Sequence, residues 1–85
     1  MTWRLRIAKS AEKELERSPV KDRSYIKATL ADMQVNPFSG DIARLKNQQA
    51  AFRRRVGNYR IFFDVHTGNG VVDVVAIKRR TSTTY

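Results

Sequence analysis

Residues 2–8 alternate, with Trp3, Leu5 and Ile7 set against Thr2, Arg4 and Arg6, the period of two expected of a strand with one buried face. Ser10 then suits a helix N-cap, and Glu12 falls in the first turn, where the helix dipole favours negative charge. A short helix is therefore expected over 11–17. Pro19 lacks an amide hydrogen and disfavours helix at Ser18, so it separates this helix from a second one that it can itself begin. In the second helix Ile26, Leu30 and Met33 lie at i, i+4 and i+7 on one apolar stripe, and Asn36-Pro37 ends it.

Residues 36–43 read as a loop, with Phe38 and Ile42 turned inward. Beyond it the segments 52–56, 59–65 and 71–78 are β-branched or aromatic-rich strands, separated by the turn sequences Gly57-Asn58 and Thr67-Gly68-Asn69-Gly70. The order strand, two helices, three strands implies one α+β domain over 1–85. Its helices cover one face of an antiparallel sheet and leave the other partly open. Trp3, Tyr25 and Phe38 read as core.

The last hairpin carries a register argument. If Asn69 and Gly70 form a two-residue type I′ loop, Phe62 faces Ile77, Arg60 faces Arg79 and His66 faces Asp73. A four-residue loop makes the two arginines diagonal on one face, and only an odd-length loop separates them. Facing arginines repel, so an anion bound between them is the expected compensation.

Charge narrows the function. The 85 residues hold 17 Lys+Arg against 8 Asp+Glu, a net charge of +9, which favours polyanionic partners. Residues 1–43 carry 8 basic and 6 acidic side chains (+2), whereas 44–85 carry 9 and 2 (+7), so the anion-facing surface belongs to the C-terminal half. The chain has no cysteine, so a disulfide framework and a thiolate zinc site are excluded. Asp64 and Asp73 are the only acidic side chains after residue 43, and no cluster has metal-ligand spacing, so neither metal nor other cofactor is expected. His66 is the lone histidine and reads as structural or surface, which argues against a ribonuclease with paired histidines. With no unbroken apolar run at the N-terminus, a soluble, unexported, cytoplasmic protein with no membrane partner is expected.

The stretch Leu45-Lys46 through Phe52-Arg53-Arg54-Arg55-Val56-Gly57-Asn58-Tyr59-Arg60-Ile61-Phe62-Phe63-Asp64-Val65, then Ile77-Lys78-Arg79-Arg80 and Tyr85, resembles the RelE/ParE toxin superfamily. Ala8-Lys9-Ser10-Ala11-Glu12-Lys13-Glu14-Leu15 and Asn36-Pro37-Phe38 fit the same pattern, so the resemblance covers almost the whole chain. The Arg-Val-Gly-Asn-Tyr-Arg turn marks the superfamily, and the Arg79-to-Tyr85 spacing favours its RNA-cleaving branch. The resemblance implies a toxin of a type II toxin–antitoxin system with two partners, a cognate antitoxin and the mRNA in the ribosomal A site. It implies ribosome-dependent cleavage of mRNA, with Arg60, Arg79 and Tyr85 as catalytic residues. The superfamily also offers a non-catalytic alternative, a ParE-like toxin that inhibits DNA gyrase, and Arg53 and Arg55, where some relatives carry lysines, leave a second, an inactive basic nucleic-acid-binding module.

Metal-free RNA cleavage needs an activated 2′-oxygen, charge stabilisation at the pentacoordinate phosphate and a proton for the departing 5′-oxygen. A guanidinium stays charged at any working pH and binds two phosphoryl oxygens with its fork, so Arg60 and Arg79 are assigned to the scissile phosphate. Tyr85 is expected to orient or deprotonate the 2′-hydroxyl, or to stack on a base. A phenol, with an ordinary pKa of about 10, needs neighbouring cations to act as a base, and Lys78 and Arg80 are placed to supply them. Arg53 and Arg55 point one way from their strand and Arg54 the other. Arg44, Lys46, Arg53, Arg55, Lys78 and Arg80 are the expected RNA-binding residues.

Overall fold

The computed structural model describes residues 2–46 and 50–80. Strand β1 (Arg4–Ile7) leads into helices α1 (Lys9–Arg17) and α2 (Val20–Val35), followed by β2 (Ile42–Arg44), β3 (Phe52–Val56), β4 (Tyr59–His66) and β5 (Val71–Arg79). The strands make one sheet in the order β1-β5-β4-β3-β2. The expected α+β layering is present, with two differences. The sheet is mixed, because β1 lies parallel to β5 while the other pairs are antiparallel. A tight turn would impose antiparallel pairing, but the rest of the chain intervenes between β1 and β5 and leaves the direction free. The second difference is β2, which begins inside the segment expected to be loop. Gly40, at φ 83°, reverses the chain onto the free edge of β3, and Ile42 then faces Arg54, Ala43 faces Arg53 and Arg44 faces Phe52.

Both helices pack on one face of the sheet. Ala11 and Leu15 of α1 and the Ile26, Leu30 and Met33 stripe of α2 meet Val56, Tyr59, Ile61, Phe63, Val72, Val74 and Ile77. Each fully buried side chain of this size contributes roughly 1.5–3 kcal/mol. Trp3, Leu5, Ile7 and Ile42 pack against this core from its rim. Tyr25 and Phe38 do not join it: they are 61% and 45% exposed, Tyr25 lying beside Gly57 and Phe38 standing edge-on to Phe52 at 5.6 Å. Ser10 is not a cap either. The Ala8 amide donates to the Val74 carbonyl, so sheet pairing runs up to the helix, and Glu12 closes the first turn on Ala8. The helix therefore starts at Lys9, with Ala8 as an N-cap that makes no side-chain hydrogen bond.

The β4–β5 register also departs from expectation. The loop holds four residues, with His66 opposite Val71. Val65 then faces Val72, Asp64 faces Asp73 and Phe63 faces Val74, but Phe62 faces Ala76. Val75 is the extra residue of a β-bulge, and beyond it the pairing is Ile61 with Ile77, Arg60 with Lys78 and Tyr59 with Arg79. Arg60 and Arg79 therefore do not face each other. The core explains the slip: Val72, Val74 and Ile77 are all buried, and only a three-residue step between the last two puts them on one face.

Candidate nucleic-acid interface

Successive strand residues point to opposite faces, and directly opposed residues share one. Tyr59, Ile61 and Ile77 lie under the helices, so Arg60, Phe62, Ala76 and Lys78 occupy the open face. In β3, Arg55 opposes Arg60 and Arg53 opposes Phe62, which places both arginines on the open face as well. Arg55, Arg60 and Lys78 thus stand abreast on three neighbouring strands. With strands about 4.8 Å apart, their Cα atoms span roughly 10 Å. Among the described residues neither Arg60 nor Lys78 is paired with a carboxylate. Lys78 extends over the Phe62 ring, with Nζ 5.7 Å from its centroid, so a cation–π contact holds its stem down. Three like charges abreast repel, and a bound polyanion would relieve that repulsion.

Not every expected contact joins this row. Arg79 opposes Tyr59 and falls on the helix side at the end of the sheet, where the Tyr59 hydroxyl donates to Asp22 at 3.2 Å. Arg44 opposes Phe52 and extends over its ring at 5.8 Å, on the face away from Arg53 and Arg55. Lys46 is exposed beyond β2. Arg80 is exposed, and its amide donates to the Asn58 carbonyl, which ties the residue after β5 to the β3–β4 turn. Tyr85 lies outside the described residues. Arg54 points to the helix side as expected of the middle member of the triplet, and its Nη1 donates to the Ser39 carbonyl at 2.9 Å.

The remaining titratable groups sit elsewhere. Asp64 accepts the Ala51 amide at 2.7 Å. Asp73 pairs with Arg6 at 3.3 Å and lies 3.2 Å from His66 Nε2, diagonally rather than directly across the hairpin. His66 is six residues along β4 from Arg60, roughly 20 Å. Among the described residues no three His, Cys, Asp or Glu side chains gather as a metal site would require, and no helix is long and apolar enough to cross a membrane. The open face is therefore equipped to bind phosphates and stabilise negative charge around Arg60 and Lys78, while His66 and the Asp64–Asp73 pair lie toward its hairpin end. The row could not have been read from periodicity alone, because Val75 and Ala76 are both apolar and hide the bulge.

A family model described as the ParE toxin of the type II toxin–antitoxin system parDE matches residues 5–83. No curated protein matches the chain. Among solved structures, the archaeal RelE–RelB complex from Pyrococcus horikoshii OT3 has a TM-score of 0.82 at 23% identity, covering 98% of this chain and 100% of that one. The RelB–RelE antitoxin–toxin complex from Methanococcus jannaschii has a TM-score of 0.69 at 26% identity, covering 87% and 88%. The YoeB/ParE toxin from Agrobacterium tumefaciens has a TM-score of 0.74 at 19% identity, covering 92% and 99%.

Proposed function

The chain belongs to the ParE toxin family of type II toxin–antitoxin systems, and from the cations on its open face we propose that it is a toxin that cleaves mRNA on the ribosome, without a metal, by attack of the 2′-hydroxyl on the adjacent phosphate. The observation that carries this reading is the row of Arg55, Arg60 and Lys78, unshielded by helices. In this mechanism the 2′-hydroxyl loses its proton as its oxygen bonds to phosphorus, the bond to the 5′-oxygen breaks, that oxygen takes up a proton from solvent, and a 2′,3′-cyclic phosphate remains. Arg60 holds the phosphoryl oxygens as negative charge builds, and Lys78 takes the position opposite it that had been expected of Arg79. Tyr85 is assigned to the 2′-hydroxyl, and Arg79, at the end of the sheet, is a further cation for the substrate. The solved relatives bound to RelB support a cognate antitoxin as second partner. An acidic segment laid over the basic face would be its complementary form.

A second reading, a non-catalytic inhibitor of DNA gyrase, draws support from the placement of Arg79 on the face away from Arg60. Incubating the purified protein with programmed ribosomes, with free RNA and with gyrase plus DNA separates the two. The proposal expects new RNA ends with cyclic phosphate on ribosomes. Intact RNA alongside blocked supercoiling would replace it with the gyrase reading.

A further inference from the structure

The arginine row does not stop at β3. The Arg55 amide donates to the Asp41 carbonyl at 2.9 Å, so Asp41 continues the β2–β3 register one step and lies opposite Arg55 on the open face. Four residues on adjacent chain segments thus stand in line, Asp41, Arg55, Arg60 and Lys78, with the one carboxylate at the end. Its two oxygens each meet a different arginine: Oδ1 lies 3.9 Å from Arg53 Nη1 and Oδ2 lies 3.9 Å from Arg55 Nη1. Ala43, the residue opposite Arg53, is small and leaves room for that side chain to lean toward Asp41. Neither contact is short enough to be a hydrogen bond, and among the described residues Arg53 Nη1 is buried with no hydrogen-bond partner. Both arginines are attracted to Asp41, and Arg53 is the one left unsatisfied.

The carboxylate is held in place from the other face. Arg54 packs against Gly40, where an added Cβ would collide with its guanidinium, and it donates to Ser39. The Ser39 hydroxyl donates to the Asn36 carbonyl at 2.9 Å, and the Asn36 side chain accepts the Phe38 amide at 3.0 Å. The arginine triplet therefore works in two directions, its middle member fixing the loop whose Asp41 engages the other two.

We propose that Asp41 is a positioning residue of the basic face, an internal anion that draws Arg53 and Arg55 toward the β2 edge and must be exchanged for a phosphate when a polyanion binds. For RNA this rests on the function proposed above. Asp41 thereby sets a threshold: a single phosphate gains little by displacing it, whereas a chain of phosphates also held by Arg60 and Lys78 gains more.

The test is Asp41→Asn, which keeps the backbone carbonyl that Arg55 uses. Binding of a single-stranded RNA and of inorganic tripolyphosphate is measured against salt. Exposed ion pairs are worth up to about 1 kcal/mol, so an affinity gain of about 2- to 5-fold at low salt is expected. The log–log salt slope for RNA should steepen by about 0.7, one additional neutralised phosphate. Asp32→Asn, on exposed α2, adds the same net charge elsewhere and should gain less. In an Arg53→Ala, Arg55→Ala background the Asp41→Asn gain should fall to that of Asp32→Asn. A gain for tripolyphosphate with no RNA binding by either protein would sink the RNA reading and leave the role of Asp41 standing. Unchanged affinity for both ligands, a gain matched by Asp32→Asn, or a gain beyond that of Asp32→Asn that survives removal of both arginines would overturn it.

Discussion

The two faces of the sheet obey opposite rules. Under the helices, Ile61, Phe63, Val72, Val74 and Ile77 are almost wholly excluded from water, and each is placed by packing. On the open face Arg55, Arg60 and Lys78 stand side by side against their mutual repulsion. Because one backbone serves both faces, the register that satisfies the core also decides which cations become neighbours. The charged face is thus arranged by apolar residues it never touches.

The core side should break hardest. Phe63→Ala leaves a cavity beneath both helices and is expected to cost about 3–5 kcal/mol, read as a lower urea midpoint. A loss under about 1 kcal/mol would mean that the sheet does not depend on that packing. On the open face, Arg60→Ala should slow single-turnover cleavage on ribosomes by about 10²- to 10³-fold while leaving urea resistance equal or higher, since a crowded cation is removed. Lys78→Ala should be more damaging than Arg79→Ala, because Lys78 is the residue opposite Arg60. The reverse order would return Arg79 to the scissile phosphate. Replacing Arg53 and Arg55 together by Ala should flatten the salt dependence of RNA binding by about 0.7 in log–log slope for each phosphate that is no longer neutralised. The smallest effect belongs to Ser10→Ala, expected within about 0.5 kcal/mol of wild type, because its side chain caps nothing.

Strong periodicity was legible and weak periodicity was not. The alternation of β1, the Ile26, Leu30 and Met33 stripe and the Gly57-Asn58 turn all stood out in the sequence, and the structure contains them. β2 did not, since three residues give alternation nothing to repeat. The parallel direction of β1 depends on a partner more than 60 residues away, beyond any local signal. Ser10 misled because capping preference is local, whereas the start of α1 is set by the Ala8 bond to Val74. Arg53, Arg55, Arg60 and Lys78 can each be named from the sequence as expected RNA contacts, but the pairing of Arg60 with Lys78 depends on the bulge at Val75 and cannot be read there. Asp41 was invisible as a site residue, since its significance lies in a loop closed by Arg54.

The bulge at Val75 divides the β4–β5 ladder into two stretches that meet out of phase, with the hairpin loop and the Asp64–Asp73 pair on one side and the Arg60–Lys78 pair on the other. Such a joint acts as slack in a mechanism. Lengthening or shortening the hairpin by one residue would otherwise propagate down both strands and turn the cations from one face to the other. A strand that already carries one unpaired residue can absorb the change by gaining or losing that residue, leaving Ile61 on Ile77 and Arg60 on Lys78 undisturbed. The distal hairpin is therefore a part of this sheet where a residue can be inserted or removed without turning the Arg60–Lys78 pair to the other face.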